Sequence, residues 1–449
     1  MPALDFPPSP VVGDKYPVTP APGVPQYTWD GEKWTTTGAQ VTSASPSNNL
    51  PLMDATPAVP GVGTQYSRED HVHPTDTSRA ADTVVLKKSP QSLTVTEQTD
   101  VRKNVYAAPL DALAYSGMQI NGSMDVSQEL GTIGRTTGGY ICDGWTLAKA
   151  GAAAVTATQA TTVGLFAGLP YYLSINVSTA SGSLAAGDLV VPIAPIEGYR
   201  IARLAWGSAS AQPITIGFWA CHNRTGIYSV TILNAAGTRS YAATYTQNVS
   251  NTAEYKTVTI PGCTDGAWNT TNGIGIQIAF AMAAGSTYIA PSNNSWLTAT
   301  YFAGTGQING VAATSDAFRI TGVVVLPGSE APAAARSPLI MRPFDQELLT
   351  CKRYYQKTFN GSGSAYATFA VQMIFSYDEM RATPTLSIPA AFTINEPTGG
   401  VKTQSSPSVT AVENYPSFAF ANFVNFTGLT VTRSYWTYSS TPLILDARL

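Results

Sequence analysis

Ile214-Thr215-Ile216-Gly217-Phe218-Trp219 sets Ile214, Ile216 and Phe218 in alternation with Thr215, Gly217 and Trp219. Side chains two positions apart on an extended chain share one face, so the stretch reads as a strand. Outward from it, Tyr228, Val230 and Ile232 alternate with Ser229 and Thr231. Ile274, Ile276, Ile278 and Phe280 repeat the pattern. Turn residues separate these runs, as in Asn234-Ala235-Ala236-Gly237 and Asn269-Thr270-Thr271-Asn272-Gly273. Period two with regular turn punctuation predicts a β-sandwich over residues 109–335. Residues 336–449 read as a second, smaller β-unit. It opens on Glu347-Leu348-Leu349-Thr350-Cys351-Lys352-Arg353-Tyr354-Tyr355, one short helical turn running into a strand, and closes on Leu443-Ile444-Leu445-Asp446-Ala447-Arg448-Leu449. No repeat at a solenoid or propeller period is visible.

Composition supports a β protein and excludes several function classes. Only 12% of the 449 residues are charged, about half the ~25% usual in soluble domains. The polar remainder is rich in Ser, Thr, Asn and Gly, which suits strand and turn surfaces. Twenty-five basic residues face twenty-eight acidic ones, so no basic excess exists to neutralise nucleic-acid phosphates. No run of about 18 apolar residues predicts a membrane-spanning helix. The start, MPALDFPPSP, lacks the basic and apolar regions of a secretory signal. Cys142, Cys221, Cys263 and Cys351 are scattered singly, which reads as free core thiols rather than a zinc or dithiol motif, with one disulfide among them as the alternative.

The first hundred residues differ in character. Residues 1–45 are proline-rich, and Trp29 and Trp34 bracket an Asp30-Gly31 hairpin turn. Residues 46–92 are polar and aperiodic, as in a linker, and carry His71-Val72-His73-Pro74. Residues 93–108 predict a short helix. Thr94-Val95-Thr96-Glu97 fits a capping box, and Val95, Val101 and Val105 make a thin apolar stripe. Such a helix is marginal alone and gains from packing against copies of itself. The chain therefore divides into residues 1–45, 46–108, 109–335 and 336–449.

Four stretches resemble bacteriophage tail fibres or receptor-binding proteins. Asp5-Phe6-Pro7, Val12-Gly13-Asp14 and Tyr27-Thr28-Trp29-Asp30-Gly31 are similar to a virion-attachment segment. The run from Ser67 through Arg79, with His71-Val72-His73-Pro74 at its centre, resembles a short element recurrent in phage fibres. Leu93 through Ala108 resembles a fibre helix, with Val105-Tyr106 in place of the usual Ile-Gly. Asn121 through Gln128, Cys351-Lys352-Arg353-Tyr354-Tyr355 and Met380-Arg381-Ala382-Thr383-Pro384 are similar to β-sandwich tips. The resemblance implies an elongated homotrimeric fibre. It would have an N-terminal anchor, a thin stalk with one short helix, and jelly-roll-like β-sandwich domains exposed to the host. It implies virion localisation, and other virion proteins and a host surface polysaccharide as partners.

Within such a trimer, His71 and His73 gain a role. Residues i and i+2 of an extended segment share a side, and three chains offer six imidazoles for one transition-metal ion, Fe, Ni or Zn. Asp70 and Asp76 are available to orient the rings. The alternative is that both histidines pack without metal. His222 lacks a neighbouring partner and reads as a loop histidine at a strand end. For glycan stacking the candidates are Trp219, Trp268, Trp296 and Trp436, with Tyr415, Tyr435 and Tyr438 as rivals near the last. Most tryptophans are core anchors, so each has a purely structural alternative. Acidic residues in 109–335 (Asp125, Glu129, Asp143, Asp188, Glu197, Glu254, Asp265, Asp316) do not cluster in sequence. The expectation is thus a fibre that adsorbs to a host glycan without catalysis. A structural virion appendage, and a polysaccharide-cleaving spike with paired carboxylates, stay open.

Overall fold

In the computed structural model, residues 5–37, 117–437 and 442–449 are described, with helical positions at Glu97 and Val101. The protein is mainly β and forms two compact units, Met1–Ala107 and Ala108–Leu449. In the first unit, β1 (Lys15–Tyr16), β2 (Gln26–Trp29) and β3 (Trp34–Thr37) form an antiparallel sheet. The Asp30-Gly31 turn forms as the sequence predicts. Asp30 Oδ1 accepts the Glu32 and Lys33 amides at 3.0 and 2.9 Å, and Gly31 takes a left-handed φ of 111°. The core of this unit is aromatic. Phe6 stacks on Trp34 at 5.0 Å and meets Tyr16 and Tyr27.

The second unit contains the expected sandwich. Its strands are β4 (Gly139–Cys142), β5 (Trp145–Ala150), β6 (Ala154–Thr161), β7 (Tyr171–Thr179), β8 (Leu189–Glu197), β9 (Ile214–Ala220) and β10 (Gly226–Asn234), then β11 (Ser240–Gln247), β12 (Glu254–Ile260), β13 (Ile274–Ala281), β14 (Ala283–Ala284), β15 (Trp296–Leu297) and β16 (Ala317–Pro327). One sheet has the order β15-β11-β10-β13-β8-β5-β4, with β14 beside β8. The other is β12-β9-β16-β7-β6. Their inner faces share one core, in which Trp145, Phe218, Tyr228, Phe280 and Phe318 are wholly buried. Each such side chain stabilises the fold by about 1.5–3 kcal/mol.

Both sheets are also covered on their outer sides. On β9, the Thr215 hydroxyl donates to the Gly328 carbonyl, and the Trp219 indole N–H to Ser337 Oγ at 2.9 Å. On the opposite sheet, Leu233, Ala279 and Val191 lie under Tyr288, Phe302 and Ala303. The central strands therefore present no open face.

A smaller β-layer pair follows the helix Phe344–Lys352. The helix is nine residues long, more than the single turn the sequence suggests; Asp345 and Glu347 suit its first turn. The strands are β17 (Tyr355–Thr358), β18 (Gly361–Ala367), β19 (Ala370–Ser376), β20 (Thr385–Ser387), β21 (Thr393–Asn395), β22 (Val401–Thr403), β23 (Val409–Asn414), β24 (Phe418–Phe423), β25 (Ser434–Thr437) and β26 (Leu443–Asp446). They make a sheet β17-β26-β20 and a larger one, β22-β21-β25-β18-β19-β24-β23. Phe375, Phe392, Phe423, Leu443 and Leu445 fill the core of this layer pair.

Polar contacts join this layer pair to the sandwich. The Asn121 amide donates to the Val126 and Asp143 carbonyls at 2.7 and 2.8 Å, and the Asn121 backbone N–H donates to Glu347. Glu347 also pairs with buried Arg342 at 3.0 Å. Arg353 and the Tyr354 hydroxyl both donate to Glu197. The Arg448 guanidinium lies between the rings of Tyr140 and Tyr355, 4.2 and 4.5 Å from their centroids. The Asn121–Gln128 and Cys351–Tyr355 stretches, distant in sequence, thus meet at one seam.

Candidate binding face

The larger sheet of the second layer pair keeps one face open. Its inner side is small or apolar: Ala365, Val371, Met373, Phe375, Ala419, Ala421, Phe423 and Tyr435 are buried. Alternation then turns Ser362, Ser364, Gln372, Ile374, Phe420, Asn422, Ser434 and Trp436 to the other side. Two glycines let β18 pack closely. A Cβ on Gly363 would sit 1.8 Å from the Gln372 carbonyl oxygen, and one on Gly361 would sit 2.3 Å from the Phe375 ring.

Register arranges the outward side chains in two rows. Asn395 pairs with Trp436, Trp436 with Ser362, Ser362 with Ile374, and Ile374 with Phe420. Beside this row, Ser434 pairs with Ser364, Ser364 with Gln372, and Gln372 with Asn422. The first row is dominated by Trp436, 42% exposed, and Ile374, 37% exposed. The second is wholly polar and uncharged. Two adjoining grooves of about 610 and 480 Å³ run over these residues, and no Asp, Glu, Lys or Arg lines either. Charge begins at the edges of the face, past Phe359 and Asn360, where Lys352 pairs with Asp378 at 2.9 Å, and at the exposed Glu413, opposite Phe420.

Trp436 differs from the other tryptophans of this unit in one respect. Trp145, Trp206, Trp219, Trp268 and Trp296 each donate their indole N–H to a protein acceptor at 2.7–3.0 Å. Trp436 donates to none among the described residues. Trp268 and Trp296 meet each other at 5.6 Å and Trp206 at 4.8 and 5.5 Å, edge to face. They form a small aromatic cluster packed on the sandwich core. Trp219 packs on Tyr255 at 5.4 Å. Of the rivals, Tyr435 is buried and its hydroxyl accepts the Thr430 amide. Tyr415 is exposed and stacks on Phe418. Tyr438 lies outside the described residues, as do His71, His73, Asp70 and Asp76.

The remaining titratable candidates have structural partners. His222 is wholly buried and stacked on Phe318 at 4.1 Å. Its Nδ1 accepts the Arg319 amide, so Nε2 carries the proton and donates to the Tyr245 hydroxyl at 2.9 Å. Burial, with help from Arg319, pushes His222 well below the usual histidine range. Glu129 pairs with Arg135 and Arg448, Asp265 with Arg239, and Asp316 with Arg224. Burial opposes ionisation of Glu254, but Lys256 and the amides of Val249 and Asn248 bring it down to about 2. Asp143 accepts two bonds from Gln128. All four cysteines are buried and unpaired. Among the described residues, no group of three or more His, Cys, Asp and Glu side chains is placed to hold a metal ion. None of their helices is long and apolar enough to cross a membrane.

Missed in sequence were Ser362, Ser364, Gln372, Ile374 and Phe420. The one local signal is the small and polar alternation of β18, Gly361-Ser362-Gly363-Ser364-Ala365, which becomes a site only through register with β19, β24 and β25.

No known family model matches the chain, and no curated protein does. Among solved structures it is similar, over 41% of its length, to the enzymatically active domain of bacteriophage CBA120 tailspike protein 4, with 13% identity and a TM-score of 0.23. That match spans 19% of the tailspike chain. It is similar over 41% to a CBM4 structure, 87% of which is covered, at 17% identity and a TM-score of 0.24. A family 11 carbohydrate-binding module of a Clostridium thermocellum cellulosomal cellulase aligns with 46% of this chain and 99% of its own, at 12% identity and a TM-score of 0.23. Likeness at this level carries no inference about what this chain binds.

Proposed function

We propose that this chain is a phage tail fibre protein that adsorbs to a host surface glycan through the open face of β25, β18, β19 and β24. The observation that carries the proposal is Trp436, an exposed indole whose N–H has no acceptor among the described residues, set in an uncharged stretch of its row beside hydroxyl and amide side chains. An aromatic ring offers a flat apolar surface to the C–H side of a sugar, and Ser, Gln and Asn bond its hydroxyls. The pairing of most sandwich carboxylates with cations favours binding without catalysis.

The resemblance of the N-terminal segment to virion-attachment segments supports docking of residues 1–45 on the particle. It also supports a homotrimer, with His71 and His73 as ligands of one transition-metal ion. Three tips acting together convert weak single-site affinity into avidity. Fluorescently labelled full-length protein on host cells tests the proposal. Saturable binding, displaced by polysaccharide extracted from the same cells, is expected. Folded protein that fails to bind the host of its own phage would leave the structural-appendage reading in its place.

A further inference from the structure

We infer that the open face takes an internal stretch of an extended, uncharged polysaccharide, laid across the strands rather than along them. The inference rests on the glycan-binding reading above and specifies its ligand.

The two rows carry the direction. Both run perpendicular to the strands, one residue from each of four neighbouring strands. One row is led by Trp436, Ile374 and Phe420; the other is Ser434, Ser364, Gln372 and Asn422. A pyranose chain has apolar C–H faces and hydroxyl-bearing edges that continue along its length. Laid parallel to the rows, it keeps its faces over the first and its hydroxyls beside the second. Laid along a strand, it would meet apolar and polar side chains in turn, about 7 Å apart, and match neither.

Length and charge narrow the ligand. From Trp436 on β25 to Phe420 on β24 is three strand spacings, about 14 Å, which exceeds a single ring. At the far end the rows reach Thr410 and Glu413 on β23, both exposed, so the face continues past Phe420. No charged side chain lines either groove, so an anionic sugar would find no countercharge there. Hydrogen-bonding capacity is also unspent. The exposed Trp436 N–H, which has no acceptor among the described residues, is free to donate to a sugar hydroxyl, and the exposed Ser362, Ser364 and Ser434 hydroxyls can bond others.

The test uses full-length protein on an array of neutral polymers (mannan, galactan, β-glucan, xylan and neutral host cell-wall polysaccharide) and anionic ones (hyaluronan, polysialic acid, alginate). Any polymer that binds is then cut into fragments from monosaccharide to hexasaccharide, with ends free or capped. The inference expects a neutral polymer to bind and affinity to rise at least about tenfold between monosaccharide and tetrasaccharide. It expects end-capping to change nothing. Trp436→Ala and Gln372→Leu should each weaken binding, with the unfolding transition unchanged as a check on the fold. Binding confined to anionic polymers, equal affinity for monosaccharide and tetrasaccharide, or loss on capping would overturn the inference and leave glycan binding intact. No polymer bound by folded protein, or binding untouched by both substitutions, would overturn the glycan-binding reading itself.

Discussion

Trp219, Trp268, Trp296 and Trp436 are equal candidates in the sequence, since nothing in their local patterns tells an anchor from a ligand contact. What separates them is the fate of the indole N–H. Trp219 spends its N–H on Ser337, in a turn 118 residues away, a contact no local pattern announces. Trp219→Ala should therefore cost about 3 kcal/mol, read as a lower denaturant midpoint, and leave binding per folded molecule unchanged. His222 supplies a second test. Its folded-state pKa is depressed and its unfolded value is about 6.5, so below that pH the unfolded chain binds the extra proton. Stability from this site is complete above pH ~6.5 and falls as pH drops below it. Thermal unfolding between pH 7.5 and 5.5, compared with His222→Gln, should show a smaller acid loss in the variant. Equal losses would contradict a buried neutral imidazole.

At the level of elements, the strands were legible where period two and turn residues agreed, as in β9, β10 and β13. Their burial on both sides was not. Thr215 and Trp219 are covered by residues 328–340, over a hundred positions downstream, a contact that alternation within β9 does not announce. The open face centres on β18 and β19; the serines and glycines of β18 look unremarkable until register aligns them with Trp436 and, through Ile374 of β19, with Phe420. The seam between the sandwich and the second layer pair is another feature hidden from sequence, since Asn121 and Glu347 meet across 226 positions. Removing Glu347 would strand the buried Arg342 guanidinium. Glu347→Ala is expected to lose about 3–5 kcal/mol, while Arg342→Met with Glu347→Leu should recover part of that loss. A single substitution with no effect on the denaturant midpoint would show that the seam contributes little.

For the whole molecule, the proposed division between attachment by the first unit and recognition by the second rests on the resemblance to phage fibres. The sequence suggested that division through the order of its motifs. A homotrimer is expected from the same resemblance and should appear in sedimentation as a single species of three chains. A monomer at micromolar concentration would remove avidity from the account. If His71 and His73 hold a metal between chains, a chelator should lower the unfolding temperature of the wild-type protein and leave His71→Ala with His73→Ala unaffected. Equal behaviour would assign the two histidines to packing alone.

The central claim is that recognition resides on the Trp436 face and not on the Trp206–Trp268–Trp296 cluster. Host-cell binding by labelled wild-type, Trp436→Ala and Trp268→Ala proteins, each confirmed folded, tests it most directly. Trp436→Ala should lose most of the saturable binding, while Trp268→Ala keeps wild-type affinity at some cost in stability. Full binding by Trp436→Ala, with loss in Trp268→Ala, would contradict the account and move the site to the sandwich.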